Sequence, residues 1–158
     1  MPTGSDAPFT FDLNILERYV SEAALDAIAI TNHNVFDGTQ FAAIDDALEV
    51  VVFPGIEVTL DCGHILIVSD VTNLDAFKEQ AEQVRARIAQ HRDSISVDEL
   101  KDIFRNLGEH LVIPHYDKKP AITGGALERI AEYVTSGEVD NPPSLPAGYL
   151  YCRQVLRS

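Results

Sequence analysis

The sequence predicts an α/β fold with mainly parallel strands, laid out as a sheet or barrel. Two observations carry that expectation. Short aliphatic runs of strand length alternate along the chain with segments of helical period. The runs are also continuous rather than alternating in polarity, as in parallel strands buried on both faces. With 158 residues, 46% apolar and 23% charged, the chain suits one domain with a sizeable core.

The elements follow in order. Asp12 can cap a helix with Leu13, Leu16 and Val20 on one face. Ala27–Thr31 reads as a buried strand with Asn32-His33-Asn34 at its C-terminal end. Asp37-Gly38 makes a turn before a helix marked by Phe41, Ile44 and Leu48. Val50–Phe53 is a second buried strand, which Pro54-Gly55 should end. Ile56–Leu60 and His64–Val68 read as strands around a turn at Asp61-Cys62-Gly63. A helix with Phe77, Ala81, Val84 and Ile88 on one face comes next. Ser96 and Glu99 then form a capping box for a helix with Leu100, Ile103, Phe104 and Leu107, stopped by Gly108. Leu111–Ile113 is a strand ending at Pro114-His115, and Leu127, Ile130 and Val134 mark a last helix closed by Gly137. Periodicity fades from Asn141. The expected division is therefore a domain over 1–140 and an irregular tail over 141–158.

Several function classes are disfavoured. The net charge of -13 argues against a broad nucleic-acid-binding face, though not against a phosphate substrate, since bound cations can supply local positive charge. No apolar run is long enough to span a membrane, and the N-terminus has no leader-like pattern, so an unexported, cytoplasmic protein is expected. Cys62 and Cys152 lack paired-ligand spacing and read as free thiols. Neither a G-x-S-x-G elbow, a Walker A loop nor a G-x-G-x-x-G fingerprint occurs.

What remains is a set of polar residues after strands: His33, Glu57 and His115, with His64 placed to return to the same face. In parallel α/β architectures the carboxyl ends of strands gather on one side and build active sites there. Imidazole nitrogen with carboxylate oxygen is ligand chemistry for Zn, Mn or Fe. Such ions polarise phosphoryl oxygens and activate water. Glu57 also fits an exposed turn residue, and His64 a cross-strand residue of a hairpin. Lys118 and Lys119 can dock a phosphate or stand as solvated loop lysines. His91 and His110 attract no role.

Leu25-Asp26-Ala27-Ile28-Ala29-Ile30-Thr31-Asn32-His33-Asn34, then Pro54-Gly55-Ile56-Glu57 with Gly63-His64-Ile65-Leu66, then Leu111-Val112-Ile113-Pro114-His115 resemble three successive motifs of the polymerase and histidinol phosphatase (PHP) superfamily. The likeness runs from about Asp6 to Asp140. The Thr-Asn-His-Asn form and His115-Tyr116-Asp117-Lys118-Lys119 are most similar to a branch fused to ABC/SMC-like ATPases. The resemblance implies a partial or distorted β/α barrel and a metal-dependent phosphoesterase acting through water activated by bound ions. It implies His33, Glu57 and His115 as catalytic residues, and His33, Glu57, His64, His115 and Asp6 as ligands of one or more divalent ions. Lys118 and Lys119 would meet a phosphoester or nucleotide substrate, and an ATPase domain or subunit would be a partner.

The family usually opens with His-x-His and closes with Asp-x-His. Neither has a counterpart here, and Asn32 stands where Asp is common. The implied ligand set is therefore incomplete for a multi-ion site, whether because a longer protein was cut or because a short form lost part of its site. Weak metal binding and little turnover are expected from it. The alternative expectation is a non-catalytic scaffold or regulatory module.

Overall fold

The computed structural model describes residues 12–91 and 93–139. Asp6, Cys152 and the expected tail over 141–158 lie outside them. Five helices and five strands follow in the order α1 (Leu13–Glu22), β1 (Ala27–His33), α2 (Gly38–Ala47), β2 (Val51–Leu60), β3 (Gly63–Val68), α3 (Leu74–His91), α4 (Val97–Ile103), β4 (Leu111–Asp117), α5 (Gly125–Ile130) and β5 (Glu138–Val139). Among the described residues no helix is long and apolar enough to cross a membrane.

The helix starts are written locally. The side chain of Asp12 accepts from the backbone of Asn14 and Ile15, and that of Asp37 from Thr39 and Gln40. These bonds satisfy donors that a first helical turn leaves free. The Ser96–Glu99 capping box forms in both directions. The helix it starts ends at Ile103 rather than at Gly108, and Leu107–Glu109 turns separately as a short 3-10 segment.

The sheet corrects the expected fold class. Its order is β1-β2-β3-β4-β5, it is mixed, and the described strands form an open sheet rather than a barrel. β1–β2 and β4–β5 pair in parallel, whereas β2–β3 and β3–β4 are antiparallel. For β2–β3 the cause is the short turn after Leu60. A hairpin can only return the chain antiparallel, so β3 runs against β2. The helix-linked pairs β1–β2 and β4–β5 keep the parallel sense that strand–helix alternation predicts, whereas β3–β4, joined through α3 and α4, is antiparallel.

Two expected strand ends are also corrected. β2 continues through Pro54-Gly55 to Leu60, and β4 continues through Pro114-His115 to Asp117. The Pro54 carbonyl still accepts from Ser69 N–H at 2.8 Å. Gly55 permits a close approach, because a Cβ there would lie 2.7 Å from Thr31 Cγ2 and 3.1 Å from the Ile30 oxygen.

Burial on β2 alternates, with Val52, Ile56, Val58 and Leu60 buried and Phe53, Glu57 and Thr59 half-buried. The buried side packs with Ile65 and Ile67 of β3, Val112 of β4, Phe77, Ala81 and Val84 of α3, and Leu100 and Ile103 of α4. On the same side of the sheet, Val52 joins Phe41 and Ile44 of α2, with Leu13 and Leu16 of α1 and Ile28 and Ile30 of β1 against them. The core is thus a helical layer over one sheet face. This corrects the expectation of strands buried on both faces: Val51 is 52% exposed, and Ile28 and Ile30 are only half-buried on the edge strand β1. Val52, Val112 and Ile113 are buried as expected.

Candidate metal centre

Register decides which side chains meet. His33 pairs with Glu57 across β1–β2, Thr59 with His64 across β2–β3, and His115 with Glu138 across β4–β5. Directly opposed residues share a sheet face. Leu66 pairs with both Glu57 and Ile113, which carries the same face across to His115, two residues on. All of these side chains therefore lie on the face opposite the helical layer.

Local structure holds them in place. Asn34 turns with φ 59, a left-handed conformation that Asn tolerates. Its backbone N–H donates to the Glu57 carbonyl at 2.7 Å, its side-chain amide donates to Thr59 Oγ1 at 2.9 Å, and its side-chain oxygen accepts from Thr59 N–H at 2.8 Å. Thr59 Oγ1 also lies 2.9 Å from His33 Nε2. On the other side, His64 N–H donates to the Pro120 carbonyl at 3.1 Å and Ile122 N–H to the His115 carbonyl at 2.9 Å. Residues 120–122 pack closely on the hairpin turn: a Cβ on Gly63, where φ is 140, would come within 2.9 Å of Ala121 backbone.

His33, Glu57 and His64 each offer one ligand atom, and these atoms all lie within 4.8 Å of one another. Glu57 Oε1 is 2.7 Å from His64 Nδ1 and 3.7 Å from His115 Nε2. The three imidazoles form a row, with ring centroids 5.0 Å apart for His33–His64 and 5.3 Å for His64–His115. His115 thus reaches the group through Glu57 rather than sharing all its distances. It is 1% exposed, and neither ring nitrogen has a hydrogen-bond partner among the described residues.

The donor set fits a divalent cation. Two imidazoles and one carboxylate make a familiar first-row ligand set, with room left for a further ligand. The His33–Glu57–His64 group is therefore a candidate divalent-metal site.

The other expected site residues fall as follows. Lys118 Nζ lies 2.6 Å from Glu138 Oε1, so this lysine is already engaged by a carboxylate. Lys119 is exposed. Glu57 and His115 lie within strands rather than after them, so the side chains meet across a sheet face and not only at strand ends. Three residues of this neighbourhood carried no signal in the sequence: Asn34 as a clamp on Thr59, Thr59 itself, and Glu138. Glu138 belongs to a two-residue strand, too short to show any periodicity. Burial alone would raise its carboxyl, but His115 and Lys118 outweigh that and hold it below the ordinary carboxylate range.

No protein-family model matches the sequence. No curated protein matches it. Among solved structures, it is similar to a protein of Bifidobacterium adolescentis described as a "putative metal-dependent phosphoesterase", with a TM-score of 0.46 and 13% identity over 85% of this chain and 74% of that one. A likeness that distant assigns neither family nor activity.

Proposed function

We propose that the chain is a metal-dependent phosphoester hydrolase module whose ion is held by His33, Glu57 and His64, with His115 beside Glu57. The observation that carries this reading is the convergence of one ligand atom from each of the three residues within 4.8 Å. A divalent ion there would supply Lewis acidity toward a phosphoryl oxygen and would lower the pKa of water. The chain's own contribution is placement. Thr59 and Asn34 brace the His33 ring, and Glu57 orients His64 through Nδ1. Exposed Lys119 offers a point charge to a phosphate. The choice of phosphoesters over other hydrolysable bonds rests on the ordered motif resemblance at 25–34, 54–66 and 111–115.

A second reading, a metal-binding regulatory module without turnover, is favoured by the engagement of Lys118 with Glu138, which leaves that lysine less able to meet a substrate. One assay separates the two. Hydrolysis of p-nitrophenyl phosphate and of bis(p-nitrophenyl) phosphate is measured with Mn2+ and with Zn2+, on wild type, His33→Ala and His115→Ala. The hydrolase reading expects turnover that needs metal, stops with chelator and falls at least about tenfold in either variant. Turnover equal in all three proteins contradicts it. Metal uptake without turnover selects the regulatory module.

A further inference from the structure

Beyond the triad, one pair of side chains is arranged for an occupant. His115 Nε2 and Glu138 Oε2 lie 3.0 Å apart on directly paired residues of β4 and β5. Both atoms are shielded from solvent, and beyond this contact, which misses hydrogen-bond geometry, neither has a hydrogen-bond partner among the described residues. Unpaired buried polar atoms are rare, and each calls for a reason. Two donors bonded to one ion at about 2.0–2.2 Å sit roughly 3–3.6 Å from each other. The His115–Glu138 distance of 3.0 Å and the His115–Glu57 distance of 3.7 Å bracket that spacing. The other carboxylate oxygen of Glu138 is taken by Lys118 Nζ at 2.6 Å.

We propose that Glu138 is a metal ligand on the His115 side of the centre, and that Lys118 is the resident counter-cation that an incoming divalent ion competes with. The inference rests on the metal-binding reading above and adds a carboxylate that no motif supplied. It also assigns Lys118 a role other than docking substrate in the metal-free protein. The lysine neutralises Glu138 with one positive charge. A cation entering beside His115 and Glu138 brings two, and so weakens the hold of the carboxylate on Lys118.

The test is binding of Mn2+ alone, by isothermal titration calorimetry, to the metal-stripped full chain. Wild type, Glu138→Gln, Glu138→Asp, Lys118→Met and His33→Ala are compared, with thermal unfolding of each metal-free form as the check on folding. Glu138→Gln is expected to weaken binding by at least about tenfold. Glu138→Asp keeps the charge but withdraws the carboxylate, and it should weaken binding even if Glu138→Gln proves poorly folded. Lys118→Met removes the competitor and should bind Mn2+ more tightly than wild type. Wild-type affinity in well-folded Glu138 variants overturns the assignment of the ligand. Unchanged or weaker affinity in Lys118→Met overturns the competition. If wild type binds Mn2+, His33→Ala does not and Glu138→Gln binds normally, the triad stands and the Glu138 assignment falls. If wild type takes up no Mn2+, the metal reading itself fails and this inference with it.

Discussion

Glu57 Oε1 lies 2.7 Å from Nδ1 of His64, across a hairpin whose turn is only two residues long. The carboxylate is thereby fixed between two imidazoles, His64 on one side and His115 on the other. Glu57→Ala removes the only carboxylate of the triad. A saturating ion stabilises a protein that binds it only when folded, by about 2.7 kcal/mol at a hundred times its Kd. Wild type should therefore gain several degrees of Tm in excess Mn2+ or Zn2+, and Glu57→Ala should gain almost none. Differential scanning fluorimetry with and without metal reads this directly.

Asn34 joins the end of β1 to Thr59 by two side-chain hydrogen bonds while holding a left-handed backbone. Asn34→Ala loses both bonds and keeps an unfavourable φ, so it should cost about 1–3 kcal/mol. Urea unfolding measures this. Asn34→Gly relieves the backbone but not the bonds, and should fall between wild type and Asn34→Ala.

Gly55 sets the spacing of β1 and β2. A methyl group there meets Thr31 Cγ2 at 2.7 Å and the Ile30 carbonyl at 3.1 Å, so the strands must separate. Gly55→Ala should destabilise by about 1–3 kcal/mol through overpacking. It should also loosen His33 from Glu57 two residues further on. The double loss, in urea midpoint and in metal-induced Tm shift, distinguishes this site from an ordinary core lesion such as Leu107→Ala, which should cost about 2–5 kcal/mol and leave the metal-induced shift intact.

His110 is buried against Phe77 and Phe104, with both ring nitrogens lacking a partner among the described residues. Burial pushes its pKa below 6.5, and the adjacent Glu109 only partly opposes this. The unfolded chain therefore takes up the proton first as pH falls. Above the unfolded value the ring is neutral in both states and adds no pH dependence. Stability then declines as pH drops from about 6.5 through the lowered folded value. His110→Phe should flatten that part of the profile. Comparing urea stability of wild type and variant at pH 7.5 and at pH 5 isolates the effect from the other histidines.

Most elements were legible in the sequence because their signals are local. Caps at Asp12 and Ser96, apolar spacing in α3 and the turns at Asp37-Gly38 and Asp61-Cys62-Gly63 each act within a few residues. Strand direction was legible only at the Asp61-Cys62-Gly63 turn, because alternation with helices does not fix the direction of β3 and β4, which pair antiparallel although α3 and α4 join them. Pro54-Gly55 and Pro114 looked like strand ends, yet both lie within continuous strands. At Gly55, the close approach of β1 to β2 needs a residue without a Cβ. The residues of the site were named from their strand contexts, but the reason they meet was different. Register and pleat bring His33, Glu57, His64 and His115 to one face. Glu138 was invisible because a strand of two residues has no pattern to read.

The most direct test of the metal centre is the metal content of the purified full chain, measured by inductively coupled plasma mass spectrometry at equilibrium dialysis against excess Mn2+, Zn2+ or Fe2+. Wild type, Glu57→Ala and a His33→Ala/His64→Ala double variant are compared. The account predicts about one or more ions per wild-type chain, and near-complete loss in both variants while each remains folded. Wild type that retains no metal, or variants that retain as much as wild type, would contradict it.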